Sequence, residues 1–190
     1  MNKTTLIVLI ALVAVGIGFY FVPKNFGETA PETLAPAQEE KRAGFDGKNT
    51  TFAIDGTRIT LISGVSETPA APNSASNVVT RYFGNEAYGD LNGDGLSDTA
   101  FLVTQERGGS GTFFYVVVAL GAEDEYRMTN AFLVGDRIAP QTTEIHADSM
   151  ELRVNFAKRK PGEPMTARPS MGVTLFLKVT AEGVLEGLMK

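Results

Sequence analysis

The 190-residue chain has no cysteine, no tryptophan and a single histidine, His146. Without cysteine it can form neither a disulfide nor a zinc–thiolate site, and a lipid anchor on an N-terminal cysteine is also excluded. Nucleophilic hydrolysis needs a base that is oriented toward the nucleophile, so a lone histidine leaves little scope for it. We expect His146 to have a surface or packing role.

An excess of positive charge is also missing. The chain has 17 Lys and Arg against 22 Asp and Glu, which gives a formal net charge of −5. Proteins that bind nucleic acid usually carry a basic patch or stripe. We therefore expect no nucleic-acid partner.

The only long apolar run lies at the N-terminus, over residues 6–22. With the two threonines before it, the run approaches the ~20 residues that cross a bilayer as a helix. Lys3 precedes the run, and aromatic residues at positions 19–21 would lie at the far interface. These features favour an uncleaved signal anchor over residues 1–23. It would contact the bilayer through residues 5–22, with the N-terminus cytoplasmic and the remaining chain outside the cell membrane. A cleaved signal peptide is the alternative, although the residues after the run are a poor cleavage site.

Residues 24–44 form a Pro-, Glu- and Ala-rich stretch without apolar periodicity, which predicts a solvated linker. The exported domain then spans residues 45–190. Alternating and β-branched runs predominate there, and no convincing long helical period appears. We predict an all-β domain, a compact antiparallel sandwich or barrel-like sheet. The predicted strands are residues 50–54, 58–62, 78–83, 99–105, 112–120, 126–134, 141–146, 150–156 and 173–179, with a short tail at 183–188.

Two turns in this domain carry specific expectations. Asp55-Gly56 between two alternating runs is a strong hairpin signal. The Gly-rich joint at 106–111 has two interpretations, a hairpin turn or a phosphate cradle. A cradle normally precedes a helix, whereas a nearly continuous apolar strand follows here, so a hairpin with a central, doubly buried strand at 112–120 is favoured.

The most informative run is the stretch from Asp90 to Asp98, with the pattern D-x-N-x-D-G-x-x-D. It places oxygen ligands at alternate positions of a tight loop, and hard cations such as Ca²⁺ bind six to eight such oxygens. Gly95 permits a sharp turn. We predict a calcium site formed by the side chains of Asp90, Asn92, Asp94 and Asp98 and by the backbone carbonyl of Leu96. The competing interpretation is a solvated Asp/Asn/Gly turn without metal.

The loop is not an EF-hand, because that motif has a bidentate Glu at its twelfth position and Phe101 stands here. A strand rather than a helix is expected after it. The loop resembles the calcium-binding loops of FG-GAP repeats in integrin-type propellers over about a dozen residues. A single such loop is too little for a propeller, which needs at least ~4 four-stranded blades.

Several stretches together resemble a family of small exported bacterial proteins, often membrane- or lipid-anchored, with no assigned activity. These are residues 78–86, the loop 90–98, and residues 108–115, 135–141 and 159–165. Related proteins often have paired cysteines after the Pro-Met of the last stretch, where this chain has Thr166 and Ala167. The resemblance implies an envelope location and a fold, but no reaction.

The sequence also offers a weaker ligand-binding candidate, formed by Asp136, Arg137 and Arg159. An Arg in a turn can present its fork of donors to a carboxylate or phosphate. The alternative is an Asp–Arg pair that holds a loop. Together these features predict a non-catalytic module that binds an envelope polymer or protein. An envelope-associated hydrolase is the alternative.

Overall fold

The computed structural model describes residues 44–123 and 125–189, and these all fall within one unit of the chain, Ala37–Lys190. This part of the chain contains a short 3-10 helix, Ala147–Ser149, and twelve β-strands. The strands are β1 Thr51–Ile54, β2 Thr57–Thr60, β3 Val65–Pro69, β4 Asn77–Gly89, β5 Asp98–Glu106, β6 Phe113–Gly121, β7 Tyr126–Met128, β8 Phe132–Asp136, β9 Ala139–His146, β10 Glu151–Lys158, β11 Met171–Val179 and β12 Leu185–Gly187. The all-β prediction is confirmed for these residues.

The predicted membrane segment, residues 1–23, lies outside the described residues, as does the linker except for its last residue. Across 44–123 and 125–189, no helix has the length and apolar character that a membrane crossing requires.

Strands β1 and β2 form a two-stranded antiparallel sheet in which Ile54 lies opposite Thr57. Only Asp55 and Gly56 remain in the turn, and both have positive φ, at 48° and 78°. Two positive φ angles characterise the type I′ turn, whose twist matches that of the flanking strands. The hairpin predicted from Asp-Gly is therefore confirmed.

The largest sheet has six strands in the order β3-β4-β5-β6-β7, with β8 also paired to β6. Strands β5 and β6 are antiparallel neighbours and are buried along almost their whole length. This confirms both the hairpin at the Gly-rich joint and the doubly buried central strand. A strand covered on both faces needs apolar residues at every position, which explains the continuous apolar run.

The second sheet is antiparallel, with the order β12-β11-β10-β9. Along β10, Leu152, Val154 and Phe156 belong to the main core, while Arg153 and Asn155 between them are only partly buried. This alternation is typical of a sheet with one face on the core and the other toward solvent.

Two hydrophobic clusters lie on opposite faces of β5 and β6. Leu102 and Val116 join residues of the four-stranded sheet, such as Leu177, in the first cluster. Phe101 packs on the other face with Phe52 of the β1–β2 hairpin in the second cluster. Successive residues of one strand therefore serve different cores, because side chains alternate across a strand.

Two side-chain contacts link the two larger sheets. The Asn85 side-chain amide of β4 donates to the Thr143 hydroxyl of β9 at 3.1 Å. Between β7 and β8, the Asn130 side chain donates to the carbonyl of Leu185, the first residue of β12, at 3.2 Å and accepts from the Leu185 backbone amide at 2.7 Å. Asn130 thus satisfies both backbone groups of Leu185, as a neighbouring strand would.

The strand boundaries differ from the prediction in three places. Residues 65–69, which are not among the predicted strands, form β3 along the first part of β4. Strand β4 continues to Gly89 through two irregularities in its register with β5. The run expected as one strand at 126–134 is divided into β7 and β8, and Asn130 between them instead bridges Ala53 of β1. Each difference arises from how strands pair in the assembled sheets, which local patterns do not encode.

Candidate functional site

The acidic loop connects β4 to β5, and the pairing of Gly89 with Asp98 closes it. Gly93 and Gly95 have positive φ angles of 82° and 81°. These values fall in the left-handed region that glycine adopts without steric cost. The loop therefore turns at the positions where its sequence has glycine, between two strands of the large sheet.

Asp90 organises the first half of the loop. One oxygen of its carboxylate, Oδ1, accepts backbone amides of Asn92 at 3.2 Å and Gly93 at 2.6 Å. The other, Oδ2, accepts the Gly95 amide at 2.8 Å. The carboxylate is thus directed toward the inside of the turn, where loop amides favour negative charge.

Asn92 and Asp94 repeat this arrangement along the loop. The Asn92 side-chain oxygen accepts the Asp94 backbone amide at 3.0 Å, and Asp94 Oδ1 accepts the Leu96 amide at 2.8 Å. The Asn92 side-chain amide also donates to Asp94 Oδ2 at 2.9 Å. The two bonds from backbone amides form Asx turns, in which a side chain takes the place of a backbone acceptor.

Asp98 is the most deeply buried residue of the predicted site, with 0% exposure. Its Oδ2 accepts the Leu91 amide and its Oδ1 accepts the Gly121 amide, each at 2.8 Å. Burial raises the pKa of Asp98 from 3.8 to about 6; the two backbone hydrogen bonds oppose this shift, and the charges of Asp94 and Asp90 add to it. The buried carboxylate thus joins the acidic loop to the end of β6.

No lysine or arginine in the described part of the chain pairs with Asp90, Asp94 or Asp98. Three carboxylates and one amide oxygen are the ligand types that a hard cation prefers, and within 44–123 and 125–189 no protein cation balances them. Across 44–123 and 125–189, no group of three or more acidic, His or Cys side chains is arranged to hold a metal ion. The donor set fits calcium in its chemistry, and the carboxylates are fixed mainly by backbone amides.

The structure brings the three residues of the weaker candidate site together. Asp136 accepts both Nε and Nη2 of its neighbour Arg137, at 2.9 and 2.6 Å from Oδ2, and its Oδ1 accepts the Thr112 backbone amide at 3.0 Å. Arg159 donates to the carbonyls of Arg137, at 3.0 Å, and Ala167, at 2.7 Å. Both guanidinium groups therefore bind the protein itself, and they connect the turn after β8 to the loop after β10.

His146 lies at the end of β9 with its Nε2 3.4 Å from a carboxylate oxygen of Glu144. Its side chain is 35% exposed. This is the partly exposed strand-end position that the sequence predicts.

One polar cluster was not identified from the sequence. The phenols of Tyr82 and Tyr88 both donate to the carboxylate of Glu86. Burial is the main cause that raises the pKa of each phenol, and the bond to Glu86 raises it further. The cluster borders a cavity of about 390 Å³, which we call the tyrosine–carboxylate pocket. It is lined by Asp46, Gly47, Lys48, Tyr82 and Glu86.

The spacing of the cluster explains why the sequence did not reveal it. Tyr82, Glu86 and Tyr88 are separated by two breaks in the β4–β5 register, so regular alternation cannot assign their faces. The sequence feature that marks the irregularity is the pair Gly84 and Asn85 inside a strand-like run, because Gly and Asn adopt positive φ more readily than other residues. An isolated Gly in such a run suggests a bulge.

No protein-family model, no curated protein and no solved structure matches this chain.

Proposed function

We propose that this chain is a membrane-anchored, exported β-domain with one structural Ca²⁺ site in the loop 90–98, and that it is a non-catalytic module which binds an envelope polymer or protein. The observation that carries the proposal is the buried carboxylate of Asp98, which has two acidic neighbours in its loop and no cationic partner among the residues that the structure describes. Burying a charge is costly unless it is paired or coordinates a metal.

A bound calcium ion would supply the positive charge that the loop lacks. Asp90, Asn92 and Asp94 would contribute side-chain oxygens, Leu96 its carbonyl oxygen, and Asp98 would complete the site. The hydrogen bonds from loop amides already hold Asp90 and Asp94 in tight turns, which lowers the entropy cost of ordering them around an ion. Because Asp98 also accepts the Gly121 amide, the ion would stabilise the junction between β4, β5 and β6.

The proposed location agrees with this role for calcium. Residues 1–23 would anchor the chain, with residues 5–22 in the bilayer, and the linker 24–44 would hold the domain a short distance from it. Extracellular calcium modules bind with affinities of roughly 10⁻⁴–10⁻³ M, because the ion is abundant outside cells. The resemblance to small exported bacterial proteins supports the same location.

For the fold we propose a compact antiparallel sandwich or barrel-like sheet. The first hydrophobic cluster lies between the two larger sheets, and the Asn85–Thr143 and Asn130–Leu185 contacts join them at separate places. A rigid sandwich with connecting loops at its ends is a common framework for binding surfaces.

Two experiments test the proposed function. Cell fractionation with mass spectrometry should recover the chain in membranes with an intact N-terminus, and protease added outside the cytoplasmic membrane should cleave the domain. A mature chain that begins near residue 24 would contradict the anchor. The full chain in detergent should co-sediment with purified envelope polymer, and more weakly with chelator or with Asp94→Ala. Release of soluble fragments from the polymer would instead indicate the hydrolase.

A further inference from the structure

We infer that one end of the four-stranded sheet binds an anionic polymer, a linear chain that carries phosphate or carboxylate groups. The surface consists of five cationic residues, Arg137, Lys158, Arg159, Lys160 and Arg168, and we call it the basic surface. The inference deepens the proposed function and rests on it, because it names the class of polymer that the binding module recognises.

Strand pairing brings two connections of the chain to the same end of this sheet. Strand β10 ends at Lys158, which lies opposite Met171, the first residue of β11. The same end of β10 pairs with the start of β9 at Ala139. The turn before β9, which contains Arg137, and the loop 159–170 after β10 therefore emerge side by side. Cations that are distant in sequence thus share one surface.

Hydrogen bonds within the loop hold the cations close together. Arg159 donates from Nε to the Ala167 carbonyl at 2.7 Å and from Nη1 to the Arg137 carbonyl at 3.0 Å. The Ser170 backbone amide donates to the Lys158 carbonyl at 3.1 Å, which joins the two arms of the loop. A surface that is ordered before binding loses less conformational entropy when a ligand arrives.

The positive charge of the basic surface is only partly balanced by the protein. Arg159 binds neutral carbonyl groups, whereas Arg137 pairs with the Asp136 carboxylate at 2.6 Å. Glu163 is the one acidic residue of the loop, and its Oε2 accepts the Lys160 backbone amide at 2.9 Å. The five cations and these two acidic residues have a net charge of +3. The whole chain carries −5, so this surface has the opposite sign.

Three cations of the basic surface are open to a ligand. Lys158, Lys160 and Arg168 have exposed side chains. Across 44–123 and 125–189, none of these three side chains pairs with an acidic residue. Lysine binds phosphate and carboxylate groups as a point charge, and arginine binds them through a fork of donors. Three such residues can contact successive anionic groups of one polymer chain.

The acidic loop lies at the opposite end of β10. Met150, which precedes β10, is so close to Gly93 of that loop that a Cβ on Gly93 would lie 3.2 Å from the Met150 sulfur. The 8 residues of β10 span roughly 26 Å at ~3.3 Å per residue. Charges are screened over about 8 Å at physiological ionic strength. The acidic loop therefore does not repel a polyanion that contacts the basic surface.

The position of the basic surface favours a polymer over the lipid headgroups of the chain's own membrane. Phe45, near the start of the described residues, packs in the second hydrophobic cluster with its ring centroid 5.7 Å from that of Phe101. That cluster lies on one face of β5 and β6, and the four-stranded sheet packs on the other face. The proposed linker would thus join the domain on the face of the large sheet opposite to the basic surface. A link to the bilayer at that face does not bring the basic surface to the headgroups.

Two defined oligomers test the inference with the full chain in phosphatidylcholine nanodiscs and with calcium present. A fluorescent glycerol phosphate oligomer carries phosphate diesters, and fluorescent poly-L-glutamate carries carboxylates. Neutral dextran is the uncharged comparison. Fluorescence anisotropy should show saturable binding of at least one charged oligomer and none of dextran. Because three contacts to a single-stranded polyanion release about two counterions, the affinity should fall roughly 20-fold between about 50 and 200 mM salt.

A matched pair of double variants locates the binding. Lys158→Ala with Lys160→Ala removes two exposed charges from the basic surface and should weaken the affinity roughly tenfold or more. Arg58→Ala with Lys178→Ala removes two exposed charges elsewhere, in β2 and near the far end of β11, and should leave the affinity unchanged. The two double variants have the same net charge. Arg168→Ala, at a third exposed position of the basic surface, should also weaken binding and provides an independent variant.

Several results would overturn the inference. These are no binding of either charged oligomer, equal losses in the two double variants, or an affinity that salt does not change. Loss of binding in phosphatidylglycerol nanodiscs would show that lipid headgroups occupy the surface instead. If the chain binds neither oligomer but still co-sediments with purified envelope polymer, the basic surface is wrong and the module uses another surface. If it binds an oligomer through the basic surface but does not co-sediment with envelope polymer, the surface stands and the envelope role fails.

Discussion

The carboxylate of Asp98 accepts the backbone amide of Gly121 at 2.8 Å, although the two residues are 23 positions apart. The same side chain accepts the amide of Leu91 across the acidic loop. One buried group therefore holds the loop, the start of β5 and the end of β6 together. A charge change at this position should be detectable in the stability of the whole domain.

Calcium should raise the melting temperature of the chain. At 10 mM calcium and a dissociation constant of ~10⁻⁴ M, mass action stabilises the folded state by about 2.7 kcal/mol. For a protein of this size, that corresponds to an increase of roughly 5–10 °C. Asp94→Ala should abolish the response, whereas Glu186→Ala, at an exposed position in β12, should keep it. Melting curves that do not respond to calcium or chelator would refute the structural site.

The stability of the calcium-free protein should fall as the pH rises toward 6. The folded-state pKa of Asp98 is about 6, above its ordinary 3.8. The folded state therefore holds the proton more tightly than the unfolded state does. The resulting stabilisation is complete below about pH 4 and is lost as the pH passes 6. The loss is at most about 3 kcal/mol, because one pKa unit corresponds to ~1.4 kcal/mol.

Urea unfolding of the unaltered chain and of Asp98→Asn measures this effect. Without calcium, the free energy of unfolding of the unaltered chain should decline more between pH 4 and pH 7 than that of the variant. Saturating calcium should remove this larger decline of the unaltered chain at pH 7, since a cation favours the ionised carboxylate. Equal pH dependence in the two proteins would show that Asp98 does not titrate in this range.

Asn130→Ala should destabilise the domain by about 1–3 kcal/mol. The substitution removes two hydrogen bonds to the backbone of Leu185 and leaves partly buried polar groups without acceptor or donor. Asn77→Ala is a suitable control, because that side chain is exposed and, within the described part of the chain, donates to the exposed Glu67 carboxylate alone. Chemical denaturation measures both, and an equal cost for the two variants would contradict a joining role for Asn130.

Arg107→Ala should cost about 1–3 kcal/mol through the buried Tyr115 phenol, which would lose its hydrogen-bond partner, although the Arg107 side chain itself is 44% exposed. The Arg107 guanidinium donates to the Tyr115 phenol at 2.6 Å and to the Asp55 carboxylate at 2.8 Å, and it lies 5.3 Å from the Phe113 ring centroid. Tyr115 is buried and would lose this partner.

Arg81→Ala provides the comparison for Arg107. Arg81 pairs with Glu106 at 3.2 Å, and both side chains are 49% exposed. Exposed ion pairs of this kind contribute about 0–1 kcal/mol. Similar losses in the two variants, measured by thermal and urea unfolding, would show that Arg107 acts only as a surface charge.

The sequence itself determined the strand-rich character of residues 45–190, the Asp55-Gly56 turn and the central position of β6. These features depend on local chemistry: the side-chain period of a strand, the positive φ that Asp and Gly accept, and the continuous apolar run of a doubly covered strand. It also determined the composition of the acidic loop, and the structure places Gly93 and Gly95 at the turns where they were needed.

Only the tertiary structure decided which distant groups meet. The pairing of β3 with β4, the two β4 irregularities beside Tyr82, Glu86 and Tyr88, and the burial of Asp98 against Gly121 all depend on how the strands assemble into sheets. A local pattern states which face or turn a residue prefers, but it holds no information on which strand will be its neighbour. That choice is made by the burial of whole faces, because only the assembled sheets determine which polar groups lose their contact with water.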